Sequence, residues 1–383
     1  MTTLAILAAV AANAASCAAD ASRLTDASAE LLPLAVANGK TMDMEHADLD
    51  GDGFADLVLA VEFGQNAVLF WRESRYVHDP DALPQGIQRD SEDIAIADLD
   101  GDGDLDLVFA TEDDMVNELY LNDGGGRFID ATDRLPVTGT SNAVVAFDAD
   151  ADGDTDLVFG NAGVNLLVRN DGEANFAYDP DALPQLNGTT QDIEVGDIDG
   201  DGDPDLVVAN ETNNRVLVND GTGVFSDNTE AAIGIRSAEE TREADLGDID
   251  GDGDLDLIFA NVGWSKFPTH DKILINDGTG VFADESTGRI PFIDEFSLDA
   301  DFADIDNDGD LDIVTARIVG GLHRPVSVLT NDGDGRFTEQ SSVFVPDTIK
   351  GIGIDVEVLD LNHDGVLDVY IGTHMPSDFV LLG

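Results

Sequence analysis

The chain alternates short apolar runs with a recurring aspartate-rich segment. One clear copy is the segment 197–204, which is followed by the apolar run Asp205-Leu206-Val207-Val208-Ala209. Seven copies occur, and their starts are 50, 50, 49, 51, 56 and 56 residues apart: Asp48, Asp98, Asp148, Asp197, Asp248, Asp304 and Asp360. Self-similarity at such a period is the signature of a repeat architecture. The pattern therefore predicts one structural unit repeated seven times.

Each unit contains four candidate strands. A half-alternating run such as 192–196 precedes the aspartate-rich segment, and three apolar runs follow it. An Asn-Asp-Gly turn separates the last two runs at Asn122, Asn170, Asn219, Asn276 and Asn331. These residue types supply the positive φ that tight hairpins require. One such sheet cannot bury both faces, whereas a closed ring of sheets can. The predicted fold class is all-β: a seven-bladed β-propeller of four-stranded blades.

The two ends of the sequence complement each other. The seventh unit stops at 379–383, after its third strand, and lacks a fourth. The segment 23–28 is similar to 127–132, which forms the fourth strand of the second unit. We expect the N-terminal strand to complete the last blade, so that residues 22–383 form a single propeller. A linear stack of seven units is the alternative, and it would leave both ends without partners.

Residues 1–21 are predicted to be a leader. An apolar, alanine-rich run from Leu4 to Ala15 is followed by Ser16-Cys17-Ala18, which is typical of an export signal, although no Lys or Arg precedes the run. The run is too short to span a bilayer, and no later segment reaches the roughly 20 apolar residues that a span needs. We expect an extracellular, periplasmic or cell-surface protein, with a lipid anchor at Cys17 as one form. An alanine-rich leader on a cytoplasmic protein is the alternative.

Charge and cysteine content limit the classes of partner. The 383 residues include 80 Asp and Glu but only 18 Lys and Arg, which gives a formal charge of −62. Nucleic acids and anionic bilayers are bound through Lys and Arg, so both are excluded as partners. A single cysteine cannot form an internal disulfide. Bound metal is the natural source of stabilisation in a chain so rich in carboxylates.

The aspartate-rich segment has the ligand spacing of a calcium loop. Side-chain oxygens stand at positions 1, 3, 5 and 9, glycine at position 6, and a backbone carbonyl is available at position 7. Ca²⁺ takes six to eight oxygen ligands, and Mg²⁺ seldom uses an all-protein cage. The first half resembles an EF-hand loop, but position 12 is apolar and strands flank the segment. A solvated turn is the alternative for one copy; seven copies in register favour metal.

The predicted Ca²⁺ ligands, for about seven sites, are Asp48, Asp50, Asp52, Phe54 and Asp56; Asp98, Asp100, Asp102, Asp104 and Asp106; Asp148, Asp150, Asp152, Asp154 and Asp156; Asp197, Asp199, Asp201, Asp203 and Asp205; Asp248, Asp250, Asp252, Asp254 and Asp256; Asp304, Asp306, Asp308, Asp310 and Asp312; and Asp360, Asn362, Asp364, Val366 and Asp368. The seventh loop should bind calcium most weakly because Asn362 is neutral.

Acids also stand in the strand before most loops: Glu45, Glu194, Asp245, Asp301 and Glu357. They are either further ligands or the lining of a central channel.

These units resemble the FG-GAP/VCBS repeat family, relatives of the integrin α-subunit propeller. The resemblance rests on Asp-x-Asp-x-Asp-Gly-Asp-x-Asp-Leu-Val units with an Asn-Asp-Gly-x-Gly-x-Phe hairpin between them, and it covers nearly the whole chain. It implies a calcium-binding propeller, usually exported or on a cell surface, that serves adhesion or recognition. Some members are scaffolds for carbohydrate binding or for polysaccharide lyases.

Recognition is expected on the face opposite the calcium loops, because the loops there vary most in length and sequence. Twelve basic residues are assigned to that face: Lys40, Arg89, Arg134, Arg215, Arg236, Arg242, Lys266, Lys272, Arg289, Arg317, Arg324 and Lys350. The longest loops there, in the fifth and sixth units, supply the predicted ligand face: Trp264, Lys266, His270, Arg317, His323 and Arg324. Trp, His and Arg suit a sugar ring or an anionic glycan. Packing of Trp264 against its own blade is the alternative.

The sequence favours a binding protein over an enzyme without excluding catalysis. It contains no G-x-S-x-G, no H-E-x-x-H and no phosphate-binding loop, and its six histidines are scattered. We expect a calcium-binding recognition or adhesion module for glycans or a cell-surface protein. The alternative is a calcium-dependent polysaccharide lyase in which His323 acts as base and Arg317 or Arg324 neutralises a uronate.

Overall fold

The computed structural model describes residues 24–33, 40–112, 115–234, 239–263, 270–293, 296–318, 323–375 and 377–383. The predicted leader with Cys17, and the residues Arg236, Trp264 and Lys266, lie outside these ranges. No helix within the described ranges is long and apolar enough to cross a membrane.

Short strands make up most of the described chain. In order they are β1 (Thr25–Asp26), β2 (Thr41–Ala47), β3 (Asp56–Val61), β4 (Ala67–Arg72), β5 (Arg75–His78), β6 (Ser91–Ala97), β7 (Asp106–Thr111), β8 (Glu118–Asn122), β9 (Phe128–Asp130), β10 (Ser141–Phe147), β11 (Asp156–Val164), β12 (Leu166–Arg169), β13 (Ala177–Tyr178), β14 (Asn187–Gly196), β15 (Asp205–Asn210), β16 (Arg215–Asn219), β17 (Phe225–Asp227), β18 (Glu240–Gly247), β19 (Asp256–Val262), β20 (Lys272–Asn276), β21 (Phe282–Asp284), β22 (Phe296–Ala303), β23 (Asp312–Ile318), β24 (Val326–Asn331), β25 (Phe337–Glu339), β26 (Ile352–Leu359), β27 (Asp368–Met375) and β28 (Phe379–Leu382). Five short helical turns follow fourth strands of the repeats. Four are single-turn helices: α1 (Ser28–Leu31), α2 (Thr229–Ala232), α3 (Ser286–Arg289) and α4 (Ser341–Phe344). The fifth is a 3₁₀ turn (Thr132–Arg134).

The strands form antiparallel sheets that follow the repeats, with one exception. Five sheets have four strands each, as predicted. The third and fourth repeats instead share one eight-stranded sheet, because β11 and β14 extend past their own repeats and pair with each other. Their register places Ala162 opposite Thr189 and Val164 opposite Asn187. The sequence pattern did not predict this join.

The N-terminal strand completes the last sheet, as the sequence predicts. Strand β1 pairs with β28, with Thr25 opposite Leu382 and Asp26 opposite Leu381. The Ser28 hydroxyl oxygen reinforces the joint by accepting the Val380 N–H at 2.9 Å.

The repeats are arranged in a ring rather than in a linear stack. The first strands β2, β6, β10, β14, β18, β22 and β26 each contact the next, and β26 contacts β2. Apolar clusters fill the spaces between adjacent repeats; Val58 and Phe70 of the first repeat, for example, pack with Ile94 and Phe109 of the second. Burial of apolar surface stabilises by roughly 25 cal/mol per Å². The hydrophobic core is therefore distributed around the ring, between repeats.

Candidate metal loops, channel and recognition face

The first aspartate and the glycine of each loop set its shape. In the first loop, Asp48 accepts the N–H of Asp52 at 3.0 Å and the N–H of Gly53 at 2.9 Å. The glycine at position 6 has a φ between 88° and 101° in all seven loops, a conformation that other residues rarely adopt. These contacts curl the loop so that alternate side chains converge.

The aspartate at position 9 is buried beneath each loop. In the second loop, Asp106 is fully buried and accepts the Leu99 N–H at 3.0 Å and the Asn122 N–H at 2.8 Å. Burial raises the pKa of Asp106 to about 7, and likewise that of Asp56, Asp205, Asp256 and Asp312. A carboxylate oxygen has a second lone pair. Position 9 can therefore hold its loop and still face a cation.

The aspartate at position 3 supplies an oxygen that protein groups do not satisfy. In four loops its Oδ1 is buried without a hydrogen-bond partner among the described residues: Asp100, Asp150, Asp250 and Asp306. Carboxylate atoms of Asp98, Asp100 and Asp106 lie within 4.8 Å of one another. Burying an anionic oxygen unpaired is strongly unfavourable. Several oxygen donors around such an atom are the kind of ligand that hard divalent cations such as Ca²⁺ prefer.

The aspartate at position 7 turns its side chain away from the loop. The Asp203 carboxylate lies against Gly221 of the Asn-Asp-Gly turn, so closely that a Cβ on Gly221 would stand 2.5 Å from it. Asp104, Asp154, Asp254 and Asp310 lie in the same way against Gly124, Gly172, Gly278 and Gly333. Only the backbone carbonyl of position 7 is then left for a cation, as the sequence analysis expects.

Arginines contact the loops of the first, third and fifth repeats. Arg72 pairs with Asp50, and with Asp52 at 2.9 Å. Arg169 lies 3.2 Å from Asp150 and 2.9 Å from Asp156. Arg289 lies 3.3 Å from Asp250, so its assignment to the opposite face was wrong. A guanidinium beside these carboxylates partly neutralises them. We expect weaker cation binding in these three loops than in the second, fourth and sixth.

Two other basic residues also lie away from the predicted face. Arg134 donates to the carbonyl of Glu173 at 2.8 Å, in the hairpin turn beside the third loop. Arg242 lies in β18 and lines the central channel, where it donates to Gln191 and, at 3.1 Å, to Glu240.

The asparagine of each Asn-Asp-Gly turn links two repeats. The Asn219 Nδ2 donates to the carbonyl of Ala149, in the loop of the preceding repeat, at 2.9 Å and to that of Pro204 at 3.1 Å. Its Oδ1 accepts the N–H of Gly221 at 3.2 Å and of Gly223 at 3.0 Å. Asn122, Asn170, Asn276 and Asn331 make the same contact with the preceding loop. The sequence pattern predicted only the turn-forming role of these asparagines.

Asn219→Ala should lower the free energy of unfolding by about 1–3 kcal/mol, because it leaves buried carbonyls without donors. Asn213→Ala, at an exposed position, is the matched control and should change stability by less than about 0.5 kcal/mol. Urea unfolding of both variants measures the difference. Equal stabilities would contradict the inter-repeat role of Asn219.

The first and last repeats are linked by different residues. Tyr76 of β5 is buried, and its hydroxyl donates to the carbonyl of Leu361 in the seventh loop at 3.1 Å. His363 of that loop packs edge-on against Phe54 and Trp71, with ring centroids 4.9 and 5.1 Å apart. The seventh loop is therefore held by packing against the first repeat.

The acids of the first strands lie at the ring's centre, not in the loops. Ten of them line a cavity of about 380 Å³: Asp43, Glu45, Glu92, Asp93, Asp192, Glu194, Glu243, Asp299, Asp355 and Glu357. Asp245 and Asp301 accept the N–H of Phe302 at 2.7 Å and of Val358 at 2.9 Å, each in the next repeat. The sequence left two roles open for these acids, as further metal ligands or as the lining of a central channel. Their arrangement favours the channel lining.

These central carboxyls should make the metal-free protein more stable in mild acid. Burial, with the charge of Asp93 adding to it, raises the pKa of Asp192 to about 8; burial also raises the pKa of Asp245 and of Asp299 to about 7. The fold thus holds protons that the unfolded chain releases near pH 4. Their stabilisation is complete below that pH and is lost as the pH rises through 7 to 8.

We therefore expect the melting temperature of chelated protein to rise when the pH falls from about 8.5 to about 5.5. Calcium-loaded protein is the control and should respond in the opposite direction, because protons compete with bound metal. Calorimetry of both forms across this pH range measures the direction in which each melting temperature changes. A chelated protein that loses stability on acidification would contradict the stabilising role of the protonated channel carboxyls.

Among the described residues of the predicted ligand face, Arg317 is not at the surface. Arg317 is only 1% exposed, and its Nε donates to the Thr315 hydroxyl at 3.0 Å, so its placement on the surface was wrong. Arg324 Nε donates to the Val345 carbonyl at 3.0 Å. His270 packs against Phe292, with ring centroids 4.2 Å apart, while His323 is exposed. The buried Arg317 cannot serve as the uronate-binding group of the lyase alternative.

A different pocket opens on that face, between the fourth and fifth repeats. It has a volume of about 320 Å³ and is bounded by the β15–β16 loop and by the chain that follows β17. Its polar lining includes Asn213, Asn214, Arg215, Asp227 and Glu230. The Arg215 and Asp227 side chains approach within 3.8 Å. Charged and amide groups around a pocket of this size can contact the hydroxyls of one or two sugar rings.

Comparison with known proteins identifies related sequences and folds. The sequence family described as FG-GAP-like repeat matches residues 48–109, 98–159, 148–208, 197–259, 248–315 and 318–371. No curated protein matches the chain.

Several solved structures share the fold. An Agrocybe aegerita lectin, described as recognising non-reducing terminal N-acetylglucosamine, has a TM-score of 0.54 and 19% identity over 88% of this chain and 85% of the lectin. BBS1N, solved in complex with ARL6DN, has a TM-score of 0.57 and 13% identity over 94% and 96%. An extracellular domain assigned to a one-component system of B. thetaiotaomicron has a TM-score of 0.56 and 11% identity; the match covers 94% of this chain and 40% of that one.

Proposed function

Because the chain belongs to the family of proteins with FG-GAP-like repeats, we propose that it is an exported, calcium-stabilised propeller of seven blades that recognises glycans. Residues 22–383 would form one domain, in which the two halves of the eight-stranded sheet act as two blades. The glycan would bind on the face opposite the calcium loops, and calcium would hold that face in shape.

The buried, unpartnered oxygen at position 3 carries the calcium part of the proposal. The carboxylates of positions 1, 3, 5 and 9 and the carbonyl of position 7 would hold the ion. A bound Ca²⁺ supplies positive charge that stabilises converging carboxylates; it takes part in no reaction. Because five hairpin asparagines each contact the loop of the preceding repeat, an ordered loop also supports the blade that follows it.

The pocket beside Arg215 supports the recognition part. Its amide and charged groups match the donors and acceptors of sugar hydroxyls, and it lies away from the metal loops. Arg215 can donate two parallel hydrogen bonds to a carboxylate or bridge neighbouring hydroxyls. The structural similarity to a lectin is consistent with this use of the fold.

Binding of the calcium-loaded protein to an array of neutral and uronate-containing glycans tests the proposal. We expect binding that falls at least tenfold in the double variant Asn213→Ala/Arg215→Ala. Arg127→Ala, which removes a half-exposed arginine paired with Asp79 at 2.9 Å outside this pocket, is the matched control. No glycan bound, or equal loss in both variants, would overturn the assignment. Release of an unsaturated, ultraviolet-absorbing product from a uronate polysaccharide would favour the lyase alternative.

A further inference from the structure

We propose that the channel wall holds one further Ca²⁺ site, formed by Asp43, Asp355 and Glu357, where the last repeat meets the first. This site is separate from the aspartate-rich loops, and it requires neither their occupancy nor glycan binding. Asp43 comes from β2, and Asp355 and Glu357 come from β26. The ion would therefore join the two strands at which the ring closes.

The geometry of the three side chains is that of a cation site. One carboxylate oxygen from each residue lies within 4.8 Å of the other two. Asp355 is 6% exposed, and its Oδ2 is buried without a hydrogen-bond partner among the described residues. The Oδ2 of Asp43 is buried and unpartnered as well. A cluster of three carboxylates that contains two buried oxygens without donors would be stabilised by a positive charge.

Three of the other junctions between first strands have a hydrogen bond that this one lacks. Asp93 accepts the Val144 N–H at 2.6 Å, Asp192 accepts the Ala244 N–H at 3.1 Å, and Asp299 accepts the Val356 N–H at 2.5 Å. Each bond links one repeat to the next. Asp355 is the residue of the last repeat at the same register, opposite Gly372 as Asp299 is opposite Ala316. Its free Oδ2 makes no such bond, so a shared ion would link β26 to β2 instead.

The surroundings favour calcium over other metals. Ten carboxylates and a single arginine, Arg242, line the described part of the cavity, and no histidine or cysteine is among its lining residues. Carboxylate oxygens are preferred by hard cations, whereas Zn²⁺ and Cu²⁺ favour nitrogen and sulfur. The like charges of Asp299, Asp378, Glu45 and Asp301 also act on Asp355. A divalent ion would offset this repulsion.

Anomalous diffraction from crystals of the full chain soaked in MnCl₂, which replaces calcium at oxygen sites, tests the proposal directly. We expect peaks in the aspartate-rich loops and one more peak within coordination distance of Asp43, Asp355 and Glu357. Filled loops beside an empty channel would overturn the inference and leave the calcium loops intact. Empty loops beside a filled channel would overturn the loop assignment alone.

Equilibrium dialysis with ⁴⁵Ca²⁺ gives an independent count in solution. The double variant Asp355→Asn/Glu357→Gln should bind one ion fewer than the unmodified protein. Asp192→Asn, which removes another channel carboxylate outside this cluster, should bind the full number. A full count in the double variant would contradict the site. If that variant does not fold, the diffraction result on the unmodified protein decides.

Discussion

Removing calcium with a chelator should lower the melting temperature by about 10 °C or more. A ligand at 100 times its dissociation constant stabilises the folded state by about 2.7 kcal/mol per site, and the chain has several candidate sites. Without the ion, each loop brings together carboxylates such as Asp98, Asp100 and Asp102, whose mutual repulsion opens the loop. This is the largest effect that the structure predicts.

Scanning calorimetry before and after chelation measures this effect, with direct analysis of bound calcium on the same samples. Magnesium at equal ionic strength is the control, because a loop built for flexible oxygen coordination should not respond to it equally. Six or seven ions, together with a large loss of stability, would support structural metal sites. A melting temperature that does not change on chelation would mean that the loops are solvated turns and that calcium has no structural role.

Asp106→Ala should destabilise the protein by about 3 kcal/mol even when no metal is bound. The substitution leaves the N–H groups of Leu99 and Asn122 buried without an acceptor and opens a small cavity. Asp102→Ala is the matched control in the same loop. Its exposed carboxylate accepts the local Asp104 N–H at 3.0 Å and holds no buried group, so its effect should appear only in excess calcium.

Urea unfolding of both variants, with calcium and with chelator, separates the two roles of the loop. With calcium, both variants should be destabilised by a few kcal/mol because each loses a ligand. With chelator, only Asp106→Ala should remain destabilised. Equal behaviour of the two variants in chelator would show that the buried aspartate has no role beyond metal binding.

The sequence was sufficient to predict the features that recur in register. The spacing of the seven loops indicated the four-stranded repeat, and the similarity of 23–28 to 127–132 indicated the strand that pairs with β28. The placement of glycine at position 6 and of a carboxylate at position 9 also follows from the repeat. Periodicity determines these features because every copy repeats the same local environment.

The features that the sequence did not predict depend on contacts between repeats. Nothing in the local pattern shows that Asn219 reaches Ala149, or that Arg169 and Arg289 turn toward metal loops. Arg317 was placed on the surface because it is charged and belongs to a long connection, but its side chain lies inward beside Thr315. Which residues face one another across a ring is set by the packing of separate sheets, and one sequence carries no direct signal of it.

The pairing of β1 with β28 also determines the order in which the protein can fold. Ser28 and Val380, which meet in this joint, are 352 positions apart. Forming such a distant contact early would carry a large entropic penalty and would be slow. Each inner repeat, in contrast, can pair its own strands within about 50 residues. Synthesis would therefore produce an open arc of finished sheets with two unpaired edges, and the arc would become a ring only when its last strand reached the first. Until then the exposed edges could pair with a second chain, so ring closure competes with aggregation.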